Sequence, residues 1–153
     1  MLDILKIFLM AMAPVGELRV ALPVGILAYG LEDHIAFLVS VLGNLVPVFF
    51  LLLLLGPISR FLSQNCIVFE KFFNWLFERT RRKTGAKITK YGAIALIGFV
   101  AIPLPFTGAW TGAIAAFLFG IPLKKAFPLI SLGVIIAGVI VLILTKVGAL
   151  WLI

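Results

Sequence analysis

The sequence predicts an all-α integral membrane protein of two inverted repeats, each a re-entrant helical hairpin followed by a transmembrane helix. A cytoplasmic amphipathic helix is predicted to join the repeats. Composition supports this fold class, because 63% of the 153 residues are hydrophobic and only 12% are charged, against about 25% charged in soluble domains. Two long apolar stretches and a recurring order of elements also support it. We expect a single membrane domain over residues 1–153.

The first repeat is predicted over residues 1–56, with a hairpin at 2–31 and a membrane span at 35–55. Its first apolar limb is shorter than the roughly 20 residues that cross a bilayer. Prolines and glycines then interrupt it in "PVGELRVALPVG" (14–25), which we call the first elbow. Its helix-breaking residues are Pro14, Gly16, Pro23 and Gly25. Two short limbs joined by such a break predict a hairpin that enters the membrane and returns to the same face.

A basic connector is predicted over residues 57–90. Eight of its residues are lysine or arginine, and basic loops stay in the cytoplasm. Apolar residues at helical spacing predict an amphipathic helix at the membrane surface, although a bridge that docks on the other helices would show the same pattern. The net charge of +7 is therefore attributed to membrane orientation, and no nucleic-acid partner is expected.

The second repeat is predicted over residues 91–153, with a hairpin at 91–121 and a span at 126–150. "IPLPFTGAWTGA" (102–113) interrupts this hairpin, and we call it the second elbow. Its helix-breaking residues are Pro103, Pro105, Gly108 and Gly112. A hairpin returns to its starting face and the following span crosses once, so the second repeat is inverted relative to the first. This plan recurs in transporters, with the site at the repeat interface.

Two charged residues in the first elbow are the leading site candidates. Glu17 and Arg19 lie within a predicted membrane segment, where ionisable residues are costly and mark functional sites. A helix that starts after a break presents unpaired N–H groups, which together with Arg19 would favour a phosphate or carboxylate. Glu17 could take up a proton or neutralise Arg19 in an empty site. Alternatively, the two form a structural ion pair that holds the hairpin.

The second elbow and the first span add uncharged candidates. Thr107 and Thr111 offer hydroxyl groups and Trp110 an indole N–H, and Asn44 offers an amide in the middle of the first span. Trp110 could instead be an interfacial anchor, and Asn44 an interhelical hydrogen-bond partner. One cysteine and one histidine cannot form a disulfide or a metal cluster. We expect no metal, no cofactor and no catalytic residue, and hence no enzyme.

These residues predict a transporter for an amphipathic, anionic molecule such as a polyprenyl phosphate or an anionic lipid, coupled to protons through Glu17. One alternative is an exporter of lipophilic cations, in which Glu17 binds the cation and Trp110 provides a cation–π wall; Arg19 argues against it. Another is a lipid scramblase or assembly protein without energy coupling. Because two long spans leave the elbows open to the lipid bilayer, a homodimer is expected.

The two elbows also resemble the paired motifs of the "putative small multidrug export protein" family. That family is similar to the DedA/VTT (SNARE-associated) membrane protein superfamily. The resemblance implies an inner-membrane, multi-pass transporter in which the elbow residues carry function. The sequence departs from the DedA pattern because its second elbow contains no arginine. The residues that match the motifs are Glu17, Arg19, Pro23, Pro103, Pro105, Thr107, Gly108, Trp110, Thr111 and Gly112.

Overall fold

The computed structural model describes residues 2–65, 86–102 and 107–151, and the secondary structure of this part of the chain is helical. The all-helical prediction is confirmed. Its six helices are α1 (Leu2–Met12), α2 (Glu17–Leu27), α3 (Asp33–Asn65), α4 (Ala86–Ala101), α5 (Ala109–Leu118) and α6 (Leu123–Trp151). Most of the predicted connector, including Cys66, lies outside the described residues, as do Pro103 and Pro105.

Two helices, α3 and α6, are long and apolar enough to cross a membrane, over Asp33–Ile58 and Leu123–Leu150. The prediction of two long apolar helices is thus confirmed. Helix α3 differs in length from the predicted span, because it continues past Leu55 and through Pro57 to Asn65. Proline removes one backbone donor and usually bends a helix, yet here the helix resumes beyond it.

The interruptions between the short helices are shorter than the elbow motifs predicted. The break in the first hairpin is confined to residues 13–16, and Pro23 and Gly25 lie inside α2. Gly25 has a packing role there, because a Cβ at this position would lie 3.3 Å from Ala36 Cβ and 3.6 Å from Ile7. Gly112 likewise lies inside α5, packed against α4. These two glycines lie within helices, where the lack of a side chain allows a neighbouring helix to pack closely.

Helices α1 and α2 form an antiparallel hairpin, in which Lys6 Nζ lies 5.2 Å from the centre of the Tyr29 ring. Helices α3 and α6 are also antiparallel. Near one end of this pair, Lys146 Nζ lies 2.7 Å from Asp33 Oδ2, and towards the other end the rings of Phe49 and Phe127 meet edge to face at 5.7 Å. The start of α3 therefore lies beside the end of α6.

The core joins the two halves of the chain. One buried apolar cluster includes Leu18 and Leu22 of α2, Val100 of α4, and Ile130 and Val134 of α6. Many large apolar side chains of α3 and α6 are exposed on the outer surface instead. Extensive apolar exposure is typical of surfaces that contact a membrane or another protein.

Some local features occur twice, ninety residues apart. Gly30 and Gly120 follow the ends of α2 and α5 with φ of +61° and +68°, a backbone conformation in which glycine commonly ends helices. Two further glycines lie where another helix packs closely: α1 packs against Gly43 of α3, and α4 packs against Gly133 of α6. A Cβ at Gly43 would lie 2.5 Å from the Phe8 carbonyl oxygen, and one at Gly133 would lie 3.1 Å from that of Ile97.

Candidate functional site

The first elbow directs a carboxylate into the protein interior. Glu17 begins α2 with φ of +48°, and Gly16 precedes it with φ of +95°. A positive φ is strained for a residue with a side chain, and such strain is found preferentially at functional sites. The Glu17 residue is only 7% exposed. Burying a charge is unfavourable unless hydrogen bonds compensate it, so its partners decide what the residue can do.

The partners of Glu17 are two main-chain amides of the second elbow. The N–H of Ala109 donates to Oε2 and the N–H of Trp110 donates to Oε1, each at 3.2 Å. These are the first two residues of α5, which has no side-chain cap from the preceding Gly108. The carboxylate of Glu17 thus does for α5 what a capping side chain does, and its charge complements the positive end of the helix dipole.

Arg19 connects the same two elbows through another set of atoms. Its Nη2 donates to Thr107 Oγ1 at 3.0 Å and to the Ile102 carbonyl oxygen at 3.2 Å. The Thr107 hydroxyl in turn donates to the same Ile102 carbonyl at 2.8 Å. Arg19 therefore binds Ile102, directly after α4, and Thr107, two residues before α5. Both charged residues of the first elbow contact the second elbow, so they do more than hold their own hairpin.

A small cavity lies beside these contacts. Its volume is about 10 Å³, on the order of the space that one water needs. Glu17, Arg19 and Asn44 line it together with apolar residues of α4, α5 and α6. Asn44 is 2% exposed, and its Oδ1 has no hydrogen-bond partner among the described residues. The cavity thus combines a carboxylate, a guanidinium and an amide inside an apolar core.

The other predicted site residues take different places. The Thr111 hydroxyl donates to the Gly108 carbonyl at 3.2 Å, so it serves the first turn of α5. Trp110 contributes its main-chain N–H, while its buried indole Nε1 has no partner in the described part of the chain. Within the same residues, no group of three or more His, Cys, Asp or Glu could hold a metal ion.

Sequence reasoning did not name Ala109 or Ile102, which contribute only main-chain atoms. Any residue except proline supplies the same N–H at position 109, so the side chain gives no signal. The available signal was positional: Ala109 is the first residue after the Thr-Gly break, where a helix leaves its N–H groups unpaired.

The two long apolar helices and the site describe a small helical membrane protein in which a carboxylate from one helical hairpin caps a helix N-terminus of the other half. The chain belongs to the family described as "Putative small multi-drug export protein", which matches residues 17–140. The contacts of Glu17 and Arg19 with the second elbow lie within that range, whereas the first elbow begins three residues before it. This is an exporter family rather than an enzyme family. No curated protein and no solved structure matches the chain.

Proposed function

We propose that the protein exports an amphipathic molecule whose anionic group, lipid-phosphate-like in chemistry, binds where the two elbows meet. One observation carries this proposal: the start of α5 already holds an anion, the carboxylate of Glu17, on the amides of Ala109 and Trp110. A phosphate or carboxylate presents the same acceptor oxygens, and helix N-termini bind such groups. The substrate anion then displaces Glu17 from the α5 amides. Arg19 stays in the site and pairs with the negative charge of the substrate.

Protonation of Glu17 is the step that couples export to protons. A carboxylate offers acceptors only, whereas a carboxylic acid has one O–H donor and is a weaker acceptor for a main-chain N–H. Loss of the charge also removes the attraction to the helix dipole. The protonated side chain therefore leaves the α5 amides to the substrate, and release of the proton returns the Glu17 carboxylate to these amides and expels the anion.

The membrane arrangement that suits this mechanism has two re-entrant hairpins entering from opposite faces, in two inverted repeats. Antiparallel α3 and α6 support it, and so do the paired glycines at 43 and 133. Irregular backbone at membrane depth is tolerated where it is buried in protein or lines a cavity, as Glu17 and Gly108 are. We place the protein in the inner membrane, with the connector 57–90 in the cytoplasm, and as a homodimer that shields the elbows from lipid.

A second candidate is an exporter of lipophilic cations, which the multidrug description of the family favours. Glu17 would then bind the cation and the ring of Trp110 would lie against it. Arg19 disfavours this candidate, because its guanidinium contacts the same elbow as Glu17 and repels a cation. An uncoupled scramblase or assembly protein is distinguished by activity that does not depend on the charge of Glu17.

The test is ligand-induced thermal stabilisation of the purified protein with polyprenyl phosphates, anionic lipids and lipophilic cations at two pH values. Glu17→Gln and Arg19→Ala are compared with wild type. Glu32→Gln and Lys124→Ala are the matched controls, because these charged residues are exposed near the ends of the long helices. We expect stabilisation by phosphates that is lost in Arg19→Ala and retained in both controls.

Each other outcome assigns a different role to the site. Stabilisation by cations that disappears in Glu17→Gln would support the second candidate and overturn the first. If no ligand stabilises the wild type while Glu17→Gln and Arg19→Ala both melt earlier, the contacts are a structural clamp between the elbows, and the transport proposal fails.

A further inference from the structure

The buried amide oxygen of Asn44 meets no donor in the described part of the chain, and Asn44 shares a cavity with Glu17. Asn44 is on α3, and its side chain lines the same small cavity as Glu17. Its Oδ1 has no partner among the described residues. An unpaired polar atom in an apolar interior is unfavourable, so the site lacks one hydrogen-bond donor in the state described above.

Ionised Glu17 cannot be that donor, because a carboxylate has no proton to give. Its two oxygens each accept from an α5 amide. Arg19 Nη2 donates to Thr107 Oγ1 and to the Ile102 carbonyl oxygen. When Glu17 becomes a carboxylic acid, its O–H is a donor that can serve Asn44 Oδ1.

We propose that Asn44 holds the protonated form of Glu17. The proton comes from water onto a carboxylate oxygen, and the resulting O–H donates to Asn44 Oδ1, either directly or through the single water that the cavity can hold. Release returns the proton to water. The inference rests on the proton coupling proposed above and adds a positioning residue to it. Glu17 then exchanges partners, from the α5 amides when charged to the α3 amide when neutral.

The surroundings of Glu17 make this exchange specific. Arg19 from α2 is the charged neighbour, α5 contributes main-chain N–H groups, and α3 contributes Asn44. The cavity walls from α4 and α6 are the apolar side chains of Val100, Val134 and Ala137. Among the described residues that line the cavity, Asn44 is thus the one whose side chain is uncharged and carries a hydrogen-bond acceptor.

Infrared difference spectroscopy of the full chain in lipid, between acidic and neutral pH, tests the proposal. The carboxylic acid C=O band of Glu17 is assigned by its absence in Glu17→Gln. Donating a hydrogen bond lowers the frequency of this band. We expect a lowered frequency in the wild type, and a higher frequency in Asn44→Leu.

Ser40→Ala is the matched control, because Ser40 is buried one turn earlier on α3 and is not among the residues that line the cavity. Its hydroxyl, like the amide oxygen of Asn44, meets no partner within residues 2–65, 86–102 and 107–151. Ser40→Ala should leave the frequency of the band unchanged. Asn44→Ser keeps an acceptor at the position and should restore part of the lowered frequency, which separates hydrogen bonding from damage to the fold.

Two negative results have different meanings. If the band appears but neither Asn44→Leu nor Asn44→Ser changes its frequency, the role of Asn44 is refuted while proton uptake by Glu17 stands. If the wild type shows no band that Glu17→Gln removes, Glu17 does not take up a proton, and the coupling in the proposed function fails with it.

Discussion

Glu17 and Gly108 are complementary in shape: a Cβ built on Gly108 would lie 2.7 Å from the carboxyl carbon of Glu17. The φ of Gly108, +155°, also disfavours a side chain. Gly108→Ala should therefore displace the carboxylate from the α5 amides. We expect the free energy of unfolding to fall by about 2 kcal/mol or more, since bonds to charged groups contribute about 1.5–3 kcal/mol. Denaturant titration in detergent measures it.

Gly98→Ala is the control, because a Cβ there would meet nothing within 4 Å and alanine favours helix. It should leave stability unchanged or raise it. In the double variant with Glu17→Ala, the two losses should be less than additive, because both remove the same contact. Full additivity would show that Gly108 does not act through Glu17.

Thr107→Val should weaken the contact of Arg19 with the second elbow. The hydroxyl of Thr107 accepts from Arg19 at 3.0 Å, and valine keeps the shape without the oxygen. We expect a loss of about 1.5–3 kcal/mol and weaker stabilisation by polyprenyl phosphate in the thermal assay. Thr111→Val makes the same chemical change where the hydroxyl bonds within α5. Equal effects of the two substitutions would contradict the assignment.

Trp110→Phe should cost little stability. The site uses the main-chain N–H of residue 110, which phenylalanine retains, and the indole N–H that it removes has no partner in the described part of the chain. We expect a change of about 1 kcal/mol or less in the free energy of unfolding. If Trp110→Phe lowers the free energy of unfolding as much as Glu17→Gln does, the indole ring stabilises the second elbow more than the main-chain N–H of residue 110 does.

Gly43→Ala and Gly133→Ala should both destabilise the protein. Each added Cβ would press on the backbone or a side chain of a short helix that packs on a long one, and overpacking costs about 1–3 kcal/mol. Gly148→Ala, on α6 in open space, is the control. Similar losses at the two positions would support equivalent roles in the repeats, whereas a loss at one alone would contradict them.

The ion pair between Asp33 and Lys146 provides a test of the antiparallel pairing of α3 and α6. Both side chains are about half exposed, so a double-mutant cycle with alanine should give a coupling of about 0.2–1 kcal/mol that decreases with added salt. Replacing Lys146 by glutamate should destabilise, and adding Asp33→Lys should recover part of the loss. Absence of recovery would show that the two ends are not adjacent.

Much of the fold follows from apolar length and chain breaks. Helix α6 begins within three residues of the start predicted for the second span, because Gly120 and Pro122 precede it in the sequence. The end of α3 was not predictable in this way. Helix α3 passes Gly56 and Pro57, which on local grounds should have ended it; composition alone does not show when a helix continues through a proline.

The sequence predicted the side chains of the site but not the main-chain groups that bind them. The charges at Glu17 and Arg19 indicated a polar centre, and the break at Thr107 and Gly108 indicated free amides. That the amides bind Glu17 depends on which parts of the chain meet in space. Thr111 illustrates the limit. Its hydroxyl belongs to the motif, yet it donates to the Gly108 carbonyl at the start of its own helix, and the sequence does not show this partner.

The contact between Glu17 and α5 makes the two halves of the chain unequal partners. One half supplies a buried negative charge, and the other supplies bare amides and the carbonyl that receives Arg19. Two copies of the first half would bring like charges together, and two copies of the second would leave their helix starts uncapped. If the gene were divided within the connector, each product would need the other, and neither could replace its counterpart by pairing with itself.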